Sequence, residues 1–216
     1  MKLEKIEPLD SPNYLRLIFD DGKRLKAPAF KVVELGLNIG SDVSPEDFLA
    51  LENAQSLASC KERAVRILTA SGLSKKELQK RLVQKGESEE DAEEAISWLE
   101  DLQLIDDLET AKQLVRSAAL RGYGRARAKN ILYEKGIPKE FWEEALEELP
   151  EMDGAIDTFL RRKLEGRPLD DKLIKKTVDA LLRRGHSYHD IQAGLRRYEA
   201  SLSLEQTQED TWEDME

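Results

Sequence analysis

The residues best equipped to do chemistry in this chain are its clustered cations. Between Lys112 and Lys135 stand seven basic residues, Lys112, Arg116, Arg121, Arg125, Arg127, Lys129 and Lys135, against a single acid, Glu134. Lys112 and Arg116 are spaced i, i+4, as are Arg125 and Lys129, so each pair shares a face where its segment is helical. Further on come Arg161, Arg162 and Lys163, then Lys172, Lys175 and Lys176, then Arg183 with Arg184 and Arg196 with Arg197. Guanidinium groups pair bidentately with phosphate or carboxylate, so such a surface suits either DNA or an acidic protein groove. Two readings stay open for the stretch 112–135: a binding patch, or a solvated face whose charge is balanced by the acidic segment 140–148. Tyr123 lies in a turn between basic segments and is the better candidate for an exposed contact.

Catalytic constellations are harder to find. His186 and His189 stand at i, i+3 beside Asp190, but a metal would need a further ligand and an enclosed site. Their preferred role is at the first turn of a helix. The Gly122-Tyr123-Gly124 run lacks the Gly-Lys-Ser/Thr ending and the preceding strand of a phosphate loop, and reads as a turn between helices. Cys60 is the sole cysteine, which rules out an intramolecular disulfide and suits a reducing compartment. It lies in a helical pattern far from either histidine, and no Ser/His/Asp set is in evidence. The expectation is a protein with no catalytic residues, no metal and no cofactor. The opening Met1-Lys2-Leu3-Glu4-Lys5 leads into charged residues rather than an apolar signal core, and no run of about 18 apolar residues follows. A cytoplasmic protein without a membrane segment is expected.

The elements that must position these cations follow from composition and periodicity. The chain has 216 residues, 36% of them charged and 6% aromatic, which suits many solvated helix faces over thin local cores. Its net charge of −10 is uneven: residues 151–200 carry +2, whereas residues 201–216 hold six acids and no Lys or Arg. That acidic tail can imitate DNA, shield the basic patch, or keep the protein soluble, and the last is the simplest reading. In the first 45 residues Leu15, Leu17 and Phe19 alternate with Tyr14, Arg16 and Ile18 up to Asp20-Asp21-Gly22. A hairpin is expected there, returning through 24–27, with a short helix around Phe30, Val32, Val33 and Leu35 that stops near Gly36.

From about Pro45 the apolar period becomes helical and a repeat emerges. Gly86, Gly136 and Gly185 are spaced by 50 and 49 residues. Four residues before each stands Leu82, Leu132 or Leu181, and one before stands Lys85, Lys135 or Arg184. Six residues after stands Ala92, Trp142 or Ile191, ten after Ile96, Leu146 or Leu195, and thirteen after Leu99, Leu149 or Tyr198. A cation in the last helical turn followed by glycine is a helix ending, and the three later columns fall on one face of the next helix. Ser88 with Asp91 and Ser187 with Asp190 fit N-caps, and Pro138 suits a first turn. Trp142 therefore belongs to the core rather than to a base-stacking surface, while Trp98, outside the columns, is a candidate for a contact between units. A further helix precedes each pair, over 62–70, 109–120 and 155–164, giving three units of three helices, each helix about three turns long.

The joint order of these segments resembles the RecX family. Arg63-Ala64-Val65-Arg66-Ile67-Leu68, the stretch 74–82 and Leu104-Ile105-Asp106-Asp107 are similar to its first unit and junction. Arg121-Gly122-Tyr123-Gly124 with Lys135-Gly136-Ile137 is similar to the second, and Leu181-Leu182-Arg183-Arg184-Gly185 with Asp190-Ile191 to the third. The likeness covers roughly residues 60–200. Gln103 stands where the family often has Gly, and Thr110 and His186 replace usual aromatics. The resemblance implies a mainly α fold: three tandem three-helix repeats in an elongated curved array behind a small N-terminal module containing a β-hairpin. Expected divisions are 1–45 for that module, 46–60 for a linker helix, 61–106, 107–150 and 151–200 for the repeats, and 201–216 for a flexible acidic tail. It further implies a monomeric regulator, not an enzyme. Its partners would be the RecA filament and single- or double-stranded DNA, the latter weakly or through RecA. The outcome would be inhibition or modulation of RecA's ATPase, strand exchange and coprotease activities in recombination and the SOS response. The alternatives from the residues alone are a helical DNA-binding protein and a helical scaffold for another partner.

Overall fold

The computed structural model describes residues 1–70 and 72–213, with the side chains of 1–69 and 72–203. The chain divides into two compact units, Met1–Ile105 and Asp106–Glu216.

The first unit opens with three antiparallel strands in the order β1 (Leu3–Pro8), β2 (Tyr14–Phe19) and β3 (Arg24–Pro28). The expected hairpin is β2 with β3: Gly22 takes a φ of +84°, and the Phe19 amide donates to the Lys23 carbonyl at 3.0 Å to close the turn. β1 is an additional strand. Only Leu3 of its LEKIEP sequence is buried, so the alternation that signals a strand is almost missing there. Helix α1 (Ala29–Glu34) follows and ends ahead of Gly36. Leu3, Leu17, Phe19, Ala27, Val32, Val43 and Leu51 form the core of this module.

Helix α2 (Pro45–Ala70) is continuous, so the linker helix of 46–60 and the first helix of the first repeat are one element. No Gly or Pro interrupts it after Pro45, and the Ser44 hydroxyl caps its start by accepting the Asp47 amide at 3.0 Å. Against its second half pack α3 (Lys75–Gln84) and α4 (Glu89–Asp101), around Cys60, Ala64, Leu78, Leu82, Ala92, Ile96 and Leu99. Trp98 is partly buried against this cluster, with Lys61 Nζ 5.6 Å from its ring centre.

The second unit holds two three-helix sets. The first comprises α5 (Asp107–Leu120), α6 (Arg125–Glu134) and α7 (Trp142–Leu146), the last preceded by a 3-10 turn, Lys139–Phe141. The second comprises α8 (Asp153–Leu164), α9 (Asp171–Arg183) and α10 (Tyr188–Glu213). The acidic tail expected over 201–216 lies, from residue 204 on, outside the residues whose side chains are described. Each set has its own core, one around Val115, Ala128, Leu132 and Leu146, the other around Ile156, Leu160, Leu181 and Ile191.

The repeat read from three glycines is physically uniform. Gly86, Gly136 and Gly185 have φ of +94°, +68° and +88°. Behind each, the following amide reaches back to the buried leucine carbonyl: Glu87 to Leu82 at 3.2 Å, Ile137 to Leu132 at 3.0 Å, His186 to Leu181 at 3.2 Å. This is the Schellman ending, which consumes carbonyls a helix would otherwise leave orphaned. Leu82, Leu132 and Leu181 are fully buried, and so are Ala92 and Ile191 of the next helix. Trp142 is half-buried in the same column, its indole N–H donating to the Ile137 carbonyl at 3.0 Å. The exception is the length of α7, five residues rather than three turns. Pro138 supplies no side-chain cap, and Pro150 disfavours helical geometry at Leu149, so this helix is cut short at both ends.

Candidate functional site

The site is built where two turns of the second unit meet. α5 ends at Leu120 because Arg121-Gly122-Tyr123-Gly124 leaves the helix, Gly122 taking a φ of +67°. The start of α6 then has no side-chain cap. Its amides are satisfied instead by the end of α9: Gly124 N–H donates to the Arg184 carbonyl at 2.9 Å and Ala126 N–H to the Gly185 carbonyl at 3.1 Å. The positive end of one helix dipole thereby faces the negative end of another. Only glycine allows this approach. A Cβ on Gly124 would lie 2.6 Å from the Gly185 carbonyl carbon, and one on Gly185 would lie 2.7 Å from Arg127 Cβ.

Side chains reinforce the junction. Arg184 Nη1 donates to the Arg121 carbonyl at 2.9 Å, while its guanidinium sits 5.4 Å from the Tyr123 ring centre and 5.1 Å from that of Phe159. His186 is buried, and its Nε2 lies 3.1 Å from the Gly122 carbonyl. A carbonyl can only accept, so Nε2 carries the proton. Burial holds the imidazole below its ordinary pKa against the raising effect of that hydrogen bond, which keeps it neutral near pH 7. Arg162 and Lys163 on α8 also stand close to the Phe159 ring, 5.5 Å and 5.9 Å from its centre.

Beside this junction opens a groove of about 500 Å³, lined by Leu120, Arg121, Gly122, Phe159, Arg162, Arg184 and His186 together with small residues from the first turns of α8. Among the described residues no Asp or Glu lines it. Charge in such a pocket is uncompensated by the described residues and attracts anions.

The cations singled out from sequence thus separate into two classes. Lys112 pairs with Glu144 at 2.7 Å, Arg116 with Glu109 at 2.6 Å and Glu148 at 3.2 Å, Arg125 and Lys129 both with Glu143 at 2.5 and 2.8 Å, and Arg127 with Glu134 at 2.9 Å. Arg197 is held by Asp157 at 2.9 Å and Asp153 at 3.3 Å. The pairing shows in the acid constants: the Glu144 hydrogen bond raises Lys112, and Lys129 lowers Glu143. The face of α5 and α6 is therefore balanced by the acidic segment 140–148, one of the two readings open from sequence. Arg121, Arg162, Lys163 and Arg184 form no ion pair among the described residues, and three of them line the groove. Arg161, Arg183 and Arg196 are exposed outside it, and Lys135 is the C-cap of α6.

Three further placements differ from expectation. Tyr123 is half-buried beneath Arg184 rather than an exposed contact. His186 closes the end of α9 and braces the neighbouring turn, two residues ahead of α10. Leu120 and Phe159 also shape the groove, although in the sequence a lone apolar residue in a helix reads as core. Cys60 is buried in the first unit, where desolvation pushes its thiol up to about 11, the wrong direction for a nucleophile. Among the described residues no helix is long and apolar enough to cross a membrane.

Comparison with known proteins matches residues 60–99 to the family model described as RecX, first three-helix domain, and residues 106–146 to that described as RecX, second three-helix domain. A Regulatory protein RecX of Vibrio parahaemolyticus is 31% identical over 139 residues, which is 63% of this chain and 90% of that relative. One of Clostridium beijerinckii is 31% identical over 161 residues, covering 72% of this chain and 75% of the relative. Among solved structures, a crystal structure of regulatory protein RecX superposes with a TM-score of 0.72 at 21% identity, over 88% of this chain and 97% of that one. The crystal structure of RecX from Lactobacillus salivarius gives 0.59 at 24% identity, over 68% and 99%. At these identities the solved structures speak for the fold.

Proposed function

Because this chain belongs to the RecX family of regulatory proteins, we propose that it binds the RecA filament on DNA and restrains its ATPase, strand exchange and coprotease activities without chemistry of its own. The observation that carries the reading is the groove of the second unit, where Arg121, Arg162 and Arg184 converge with no carboxylate lining it among the described residues. A protein of net charge −10 whose described carboxylates leave three guanidiniums of one recess without an ion pair has a use for them outside itself. A RecA filament on DNA is a polyanion coated with protein, and either component offers anions to such a recess.

Tethering makes modest contacts sufficient. Once one three-helix unit is bound, the others act at an effective concentration set by the connecting chain, so avidity exceeds the affinity of any single unit. A protein that touches more than one protomer opposes rearrangements that change the spacing of protomers, and so slows a filament without a reaction centre. The protein acts as a monomer in the reducing cytoplasm, in keeping with the buried free thiol of Cys60.

The test is RecA's ATPase on single-stranded DNA with the full chain added in stoichiometric amount. Hydrolysis and strand exchange fall with the native protein, and the Arg121→Glu, Arg162→Glu double variant restores them. An unchanged ATPase with native protein would remove the assignment.

A further inference from the structure

We infer that the groove of the second unit receives an acidic peptide segment carrying an apolar side chain, its carboxylates held by Arg121, Arg162 and Arg184 and its apolar group laid on Leu120. The inference deepens the proposed function and rests on it only in taking the groove as a partner site.

Anion selectivity comes from the guanidiniums, but the rest of the recess chooses between a phosphodiester strand and a protein. Leu120 lines the groove and is 91% exposed, a large apolar side chain left in water next to the ligand cations. A sugar-phosphate backbone has little to bury against it, whereas a peptide places a Leu, Val or Met within reach of its own carboxylates. Sequence-tolerant capture of single strands relies instead on open aromatic faces on which bases stack. Neither aromatic ring here is open: Phe159 is 8% exposed and sits among Arg162, Lys163 and Arg184, and Tyr123 lies under Arg184. Extended phosphate tracking also needs a run of free cations. The run on α5 and α6, Lys112, Arg116, Arg125 and Lys129, is paired with Glu143, Glu144, Glu109 and Glu148, and the exposed Lys172, Lys175, Lys176 and Arg183 of α9 lie outside the groove. The groove itself is a compact recess of about 500 Å³ with a cationic wall and an apolar rim, sized for a few side chains rather than a strand.

Arg184 is built for this role. Its Nη1 is committed to the Arg121 carbonyl and its guanidinium carbon lies 5.4 and 5.1 Å from the Tyr123 and Phe159 ring centres, so its remaining donors have little conformational freedom to lose on binding.

The experiment is fluorescence anisotropy on the full chain with two labelled probes of matched charge: a synthetic polyglutamate peptide with leucine at every fourth position, and an oligothymidylate. The peptide binds the more tightly. Arg162→Glu and, separately, Arg121→Glu weaken it by about tenfold or more. Leu120→Ser, an exposed position whose change leaves the fold intact, weakens it by about fivefold to tenfold while leaving the oligothymidylate unaffected. Lys175→Glu, an exposed charge reversal away from the groove, leaves the peptide affinity unchanged. Preference for oligothymidylate with no response to Leu120→Ser would overturn the inference in favour of a phosphodiester site. Peptide binding that ignores both arginine reversals, or falls equally with Lys175→Glu, would overturn it in favour of diffuse attraction. Peptide binding by a protein that leaves RecA's ATPase untouched would refute the filament assignment and leave the chemistry of the groove standing.

Discussion

Replacing Gly124 by alanine separates the two turns that build the groove, at a cost set by how closely they approach. The new Cβ would sit 2.6 Å from the Gly185 carbonyl carbon and 2.7 Å from the His186 amide nitrogen, against backbone that cannot rotate away. Relief to ordinary van der Waals separation needs the turns to part by roughly 1 Å. The bonds from Gly124 to Arg184 and from Ala126 to Gly185, now 2.9 and 3.1 Å, are then lost. Two backbone hydrogen bonds at about 0.5–1.5 kcal/mol each, with part of the desolvation cost of the amides left behind, give about 2–4 kcal/mol. Native-state hydrogen exchange reads this locally. Protection of the Ala126 amide falls by roughly a hundredfold, following about 1.4 kcal/mol per factor of ten, while amides of the first unit keep theirs. Gly154→Ala is the internal control. No atom lies within 4 Å of a Cβ there, and the site is in the first turn of α8, so the substitution stabilises by about 0.5–1 kcal/mol. If Gly124→Ala leaves Ala126 as protected as in the native protein, the close approach of the two turns is not what holds the groove together.

Other perturbations follow from single observations. Gln103 is the one non-glycine with positive φ among the described residues, at +56°, and occupies the αL position of the α4 ending, so Gln103→Gly raises the stability of the first unit by about 0.5–1 kcal/mol, measured as a shift in urea midpoint at constant slope. His186 is held below its ordinary pKa chiefly by burial, so the unfolded chain binds a proton more readily than the folded one. Its contribution is present above the unfolded value near 6.5 and lost as pH falls through the lower folded value. The second unit therefore loses stability as pH falls below about 6.5, and His186→Gln flattens that dependence; a slope of the opposite sign would refute the neutral buried imidazole. Glu143→Gln with Glu144→Gln frees Lys112, Arg125 and Lys129 and strengthens oligothymidylate binding at low salt, with a steeper salt dependence; unchanged binding would show that these pairs neutralise nothing.

Much of the helical framework was legible because its signals are local. Leu181, Arg184 and Gly185 lie within one helix ending, and their types alone specify a buried leucine, a C-cap and a left-handed residue. The same holds for Ser88 and Ser187, whose hydroxyls accept the Asp91 and Asp190 amides at 3.0 and 3.1 Å. Elements whose signals are not local were missed. β1 has one buried residue in six and is a strand because β2 offers it an edge. α2 runs through an expected boundary because both the β module and the first repeat pack on it.

What the amino-acid sequence determined by itself is the repeat, its caps, its columns of core residues and the wealth of basic side chains between 112 and 197. What only the tertiary structure decided is which of those charges are free. Lys112 and Arg121 are equally basic in the sequence, yet one meets Glu144 at 2.7 Å and the other lines a groove without acids among the described residues. Helical periodicity places a cation on a face, but its partner is 32 residues away for Lys112 and Arg116, while Arg184 reaches the Arg121 carbonyl across 63. Long-range Coulomb pairing depends on distances that only packing sets, so the site lay in the fold rather than in the composition.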